Sequence, residues 1–135
     1  MTNQGQFIAS KDLDRTISDA NDTARITGPI ETGAQQIVTI EAIFFPDKCH
    51  SFHYHPNQEE VIYVLEGELE QWIEDRKMIM HPGDSAFIPA GVVHASFNSS
   101  DKDVKILAIL SPSRGPEGYE VVDVFDQAPW NTLRK

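Results

Sequence analysis

The sequence holds one cysteine, Cys49, in 135 residues. No disulfide can form within the chain, and the cysteine-rich signature of small secreted scaffolds is missing. Cations are scarce too: 11 Lys and Arg stand against 21 Asp and Glu, a formal charge of -10. Nucleic acids and anionic membranes select basic surfaces, so neither is an expected partner. No stretch approaches the roughly 20 apolar residues that would cross a bilayer. The opening MTNQGQFIASKDLDRT lacks the apolar centre of a secretory signal. No repeat, low-complexity tract or linker is visible, and no long amphipathic helix can be traced. These absences describe a cytoplasmic protein whose residues 1–135 form one domain. The 40% of hydrophobic residues suffice for a core.

Short runs of β-branched and aromatic residues bounded by Gly and Pro occupy the rest. Ala34 to Phe45 reads as a strand whose parity Val38, Ile40, Ala42, Phe44 is wholly apolar and faces inward. Further strands are expected at His50 to His55, Glu60 to Glu66, Leu69 to Glu74, Lys77 to Met80, Ser85 to Ile88, His94 to Phe97 and Val104 to Leu110. Residues 1–23 read as a polar arm with at most one short strand or turn. From Ser111 the chain reads as an extended tail, with Val121 to Phe125 and Trp130 as its anchors. Many short strands with Gly/Pro turns predict an all-β sandwich or barrel.

His53 and His55 stand two apart, so on a strand they point the same way. Neutral imidazole is the commonest metal ligand, and such a pair makes half of a metal site. The stretch Gly83-Asp-Ser-Ala-Phe-Ile-Pro89-Ala-Gly91-Val-Val-His94-Ala-Ser-Phe-Asn98 resembles the second cupin motif, G(X)5PXG(X)2H(X)3N, at every fixed position. His53-Tyr-His55-(X)4-Glu60-(X)6-Gly67 is similar to the first, G(X)5HXH(X)3,4E(X)6G, with Asp47 where that motif opens on Gly. The spaced Gly-Pro-Gly alone arises by chance about 2 times in 10,000 starting points, which argues against coincidence. The motifs cover about 47–67 and 83–98.

The cupin resemblance implies a single-domain jelly-roll β-barrel in which His53, His55, Glu60 and His94 converge on one divalent transition metal. Three imidazoles and a carboxylate fit Fe, Mn, Ni, Co, Cu or Zn and are too nitrogen-rich for Ca or Mg. Open positions on such a metal would admit water, dioxygen or a substrate oxygen. A small-molecule ligand in a small, mostly apolar pocket is therefore expected. The function is either a metal-dependent oxygenase, isomerase, lyase or decarboxylase, or a non-catalytic module that binds or senses a ligand. No residue stands out as a catalytic base, so catalytic residues stay unassigned.

Alternation assigns the neighbours. Ile62 and Val64 share the face of Glu60, whereas Glu59 goes outward with Val61, Tyr63 and Leu65. A strand apolar on both faces needs cover on both, from the terminal segments or from a second copy in a homodimer. His50 falls on the parity opposite to His53 and is expected behind the ligands or exposed. His81 should face solvent from its turn. Cys49 is either a thiol near the barrel mouth or a bystander. Gln71 either hydrogen-bonds within the barrel or contacts a metal-bound ligand, and Asn98 is expected to hold the loop after its strand. No Lys or Arg falls clearly on an inward parity.

Overall fold

The period-two runs pair as strands, and their apolar parities set two sheets face to face. A computed structural model of the chain describes residues 5–134. Residues 1–4 of the expected arm, and residue 135, lie outside the described residues. The strands are β1 Arg15–Ile17, β2 Asn21–Thr27, β3 Val38–Phe44, β4 Cys49–Tyr54, β5 Glu59–Glu66, β6 Leu69–Ile73, β7 Arg76–Met80, β8 Ser85–Ile88, β9 His94–Phe97, β10 Val104–Ser111 and β11 Val122–Asp123. One sheet runs β1-β2-β3-β10-β5-β8 and the other β11-β4-β9-β6-β7, with antiparallel pairing throughout. The two sheets do not close into a continuous barrel, and the arrangement is an all-β jelly roll, the fold that the motif resemblance implied.

The inward parity of β3 is as expected, with Val38, Ala42 and Phe44 buried. β10 alternates strictly, burying Val104, Ile106, Ala108 and Leu110. With Ile62 and Val64 of β5 and Leu69 of β6 they make the inter-sheet core. Burying such side chains contributes about 1.5–3 kcal/mol each. On β5 the other parity leaves Tyr63 and Leu65 exposed.

The N-terminal segment differs from expectation, and the C-terminal one is anchored through part of the expected set. The arm carries β1 and the start of β2 (NDTARIT), which runs on past residue 23 and is polar on the face that alternation sends inward. That face, Asn21, Thr23 and Arg25, lines a cavity and not the core, so its strand character leaves no apolar signal. The C-terminal segment covers the outer face of the second sheet. Val124, Trp130 and Leu133 pack with Phe52, Trp72, Ala95 and Phe97, and β11 pairs with β4 at His53 and Tyr54. That cover explains why the outward Glu70 of β6 is buried: it accepts from Trp72 Nε1 at 2.8 Å and from Arg134 Nε at 2.6 Å. Phe125, among the expected anchors, stays exposed.

The corners obey backbone sterics. Asp47, which replaces the motif glycine, has φ 64°, so the turn keeps a left-handed conformation that Asp tolerates better than most residues. Gly67 combines φ +81° with a close approach: an added Cβ would meet the Asp103 carbonyl oxygen at 2.6 Å. Gly83 has φ +94° but open space around it. Gly67→Ala should therefore cost about 2 kcal/mol or more, from strain and clash, and Gly83→Ala about 1 kcal/mol, from strain alone. Urea unfolding of the two variants checks the order.

Candidate metal centre

β4 delivers His53, with His55 one residue beyond its end; β5 delivers Glu60 and β9 delivers His94. Strand pairing sets His53 directly opposite His94. All four side chains are buried, and their ligand atoms lie within 4.8 Å of one another. The rings of His53 and His94 have centroids 4.2 Å apart, and His55 is 5.1 Å from each.

The histidine tautomers follow from their backbone partners. A carbonyl can only accept, so each Nδ1 donates: His53 to Ser51 at 2.6 Å, His55 to Glu120 at 2.7 Å, His94 to Val92 at 3.0 Å. In the neutral ring Nε2 is then a lone pair. His94 Nε2 lies 2.8 Å and His55 Nε2 3.1 Å from the same oxygen, Glu60 Oε1. These are hydrogen-bond distances, yet all three atoms are buried without a directional hydrogen bond. Lone pairs that close on a carboxylate oxygen need a cation between them, a proton or a metal ion. The donor set could hold one metal ion, and the backbone carbonyls behind the imidazoles would orient it.

Electrostatics agree with that need. Burial lowers His53 to about 2. Burial would lower His55 as well, but the adjacent Glu60 carboxylate outweighs it and raises the imidazole above its ordinary value. Burial would raise Glu60, and His55 and His94 instead hold it well below the usual carboxylate range.

A cavity of about 270 Å³ opens from Glu60, His53 and His94. Its wall from β3, β5 and β10 is apolar, built of Ile40, Ala42, Phe44, Ile62, Ile106 and Ala108. Next to it in the same sheet β2 adds Asn21, Thr23 and Arg25, and the facing sheet and the tail add Cys49, His50, Ser96 and Tyr119, so the pocket expected to be mostly apolar is apolar along β3, β5 and β10 only. A larger groove, about 600 Å³, lies under the N-terminal segment and contains none of the four residues.

Two sequence readings are corrected here, and one cavity residue was missed. His50 supports a ligand as one alternative expected, stacking on His53 at 3.6 Å, but it does so from the cavity side and not from the opposite face that its parity assigned. β4 bulges against β9 between His50 and His53: three residues of one strand advance against two of the other, and both histidines turn inward. Burial lowers His50 to about 4. Arg25 enters the cavity although no inward cation was expected: it lies just past the expected arm of residues 1–23, in a polar stretch that gave no strand signal. Tyr119 comes from the tail, where the sequence carried no signal for it, and burial raises its phenol above the ordinary range.

Other expectations meet their places. Gln71 hydrogen-bonds within the protein, accepting from Ser96 Oγ at 2.6 Å and donating to the Trp72 carbonyl at 3.1 Å. Asn98 donates to the carbonyls of Phe44 and Lys102. His81 and Glu59 are exposed, and Cys49 is half-buried on the cavity wall. Gln58, between β4 and β5, is buried and clamps the tail. Its Nε2 donates to the carbonyls of Pro112 (2.9 Å) and Gly118 (2.8 Å), and its Oε1 accepts from the Glu120 amide (3.0 Å). The clamp holds the Glu120 carbonyl that orients His55. Gln58→Leu should cost about 2–4 kcal/mol, since three buried backbone groups lose a partner. It should also speed proteolysis between residues 112 and 121. Urea unfolding and limited digestion measure both.

Comparison with known proteins places this geometry. The chain is 28% identical over 107 residues to the polyketide synthase CurC of Streptomyces cyaneus, across 79% of this chain and 70% of that one. It is 33% identical over 60 residues to quercetin 2,3-dioxygenase of Bacillus subtilis, 44% of this chain but only 18% of that protein. The polyketide cyclase RemF of Streptomyces resistomycificus shares the fold at TM-score 0.74 and 21% identity, covering 96% of this chain and 98% of that one. The family model of the cupin domain matches residues 43–110. That match takes in His53, His55, Glu60 and His94 and spans half of the chain, which therefore belongs to the cupin family.

Proposed function

We propose that the protein is a metalloenzyme in which His53, His55, Glu60 and His94 hold one divalent transition ion, and that it rearranges a small carbonyl-bearing molecule of polyketide type. The observation that carries this reading is the set of buried, unpartnered Nε2 and Oε1 atoms facing a cavity. The names of the Streptomyces relatives, a polyketide synthase and a polyketide cyclase, support the substrate class. Bound there, the metal would supply a Lewis acid for a substrate oxygen.

The protein's own groups do the rest. The apolar wall of Ile40, Ala42, Ile62 and Ile106 holds the carbon skeleton and excludes water. Tyr119, protonated at neutral pH, can donate a hydrogen bond to a substrate oxygen, and neutral His50 can accept one. Ring closure next to a carbonyl redistributes protons and consumes no oxidant. The similarity to quercetin 2,3-dioxygenase favours a second reading, oxygenation of a polyphenol. Turnover of β-diketones and polyphenols with and without dioxygen separates the two. Activity kept in the absence of oxygen and lost in His94→Ala supports the first reading. Tight binding without turnover would instead make the protein a binding module.

The metal register gives a direct test. Glu60 is buried among the imidazoles and Glu59 is exposed on the other face. Glu60→Gln should lower the metal content of purified protein about tenfold or more, and Glu59→Gln should leave it unchanged. Elemental analysis of the two variants decides.

We further propose a homodimer, in a cytoplasmic setting that suits the single cysteine. The C-terminal segment covers one sheet, which leaves the outer face of the other with Tyr63, Leu65 and Phe87 at 39%, 38% and 56% exposure. A second copy would bury them. Sedimentation of the unaltered protein at high micromolar concentration should give a dimer, and Tyr63→Glu combined with Phe87→Glu a monomer.

A further inference from the structure

Arg25 is the cation on the cavity wall among the described residues. It lies on β2 opposite Ile40 of β3, so its stem continues the apolar wall. Its head is held from two sides. Nη1 donates to the Glu117 carbonyl at 2.7 Å, and the guanidinium carbon sits 5.2 Å from the centre of the Tyr119 ring. Tyr119 in turn meets the His55 ring edge-on at 5.0 Å. One aromatic ring therefore separates the guanidinium from the imidazoles.

A guanidinium has five N–H donors, and the tether to Glu117 uses one. Among the described residues no carboxylate lies within ion-pair distance of Arg25, although the chain carries a charge of -10. Asp12, Asp14 and Glu31 border the outer groove that Arg25 also touches, and none of them pairs with it. By contrast Arg15 is matched to Asp22 and Glu41, and Arg134 to Glu70. A fixed, unmatched, partly buried fork of donors is the preferred partner of a carboxylate.

We infer that Arg25 determines the specificity of the cavity and that its ligand is a small organic acid. The acid's carboxylate lies on Arg25, its apolar body along Ile40, Ala42, Ile62 and Ile106, and an oxygen at its other end turns toward His53, Glu60 and His94. The placement of that inner oxygen rests on the metal reading above, whereas the carboxylate on Arg25 does not.

The test uses wild type, Arg25→Met and Arg25→Lys, each loaded with cobalt(II) and checked for cobalt content. Each is titrated with the three hydroxybenzoates and the matching hydroxybenzamides, and binding is read by calorimetry and from the visible cobalt spectrum. Wild type should bind at least one acid about tenfold or more tighter than its amide. Arg25→Met should erase that preference at unchanged cobalt content, and Arg25→Lys should keep part of it. Should Arg25→Met fail to fold, Arg25→Gln carries the same comparison. Amides bound as tightly as acids, no acid bound at all, or an acid preference that survives loss of the guanidinium would overturn the inference. Wild type that takes up no cobalt would overturn the metal reading instead. Calorimetry of the same acid and amide pairs on that metal-free protein would still read Arg25 directly.

Discussion

One carboxylate oxygen, Glu60 Oε1, sits between two imidazole nitrogens at 2.8 and 3.1 Å in a buried place. Much of the structure answers to that constraint. A buried carboxylate against lone pairs is costly without a positive charge between them. The fold therefore does two things at once: it fixes the lone pairs in position and leaves room beside them. The three backbone carbonyls on Nδ1 do the first, and the cavity does the second. The same closeness raises the His55 imidazole, through the Glu60 carboxylate, and lowers the Glu60 carboxyl, through His55 and His94.

Holding that arrangement requires elements far apart in the chain. His53 and His94 face each other because β4 and β9 pair, and the bulge within that pairing also turns His50 into the cavity. His55 is oriented by the Glu120 carbonyl, 65 residues away, and that carbonyl's segment is clamped by Gln58. The same C-terminal stretch then continues over the outer face of the β4-β9-β6 layer with Val124 and Trp130. The tail is thus a working part of the site, since it supplies a hydrogen bond to one imidazole and the Tyr119 wall. It also leaves the two sheets unequal: one is sheathed by the chain itself, and the other presents Tyr63, Leu65 and Phe87 to solvent.

The sequence by itself determined whatever rests on local period-two alternation and on glycine at corners. The inward parities of β3 and β5, the choice of Glu60 over Glu59 as the inward carboxylate and the left-handed corners at Gly67, Gly83 and Gly91 were legible from spacing. Each follows from the geometry of a strand or turn and its own residues. Only the tertiary structure decided the place of His50, Arg25, Tyr119 and Gln58. Parity fails for His50 because a bulge is a property of two paired strands and cannot be counted along one. β2 escaped notice because its inner face lines a cavity, and polar residues there look like those of a solvated arm. Gln58 and Tyr119 acquire their roles from partners more than 50 residues away, Gly118 for one and His55 for the other. Burial of a polar side chain depends on what the fold brings against it, and no local pattern records that.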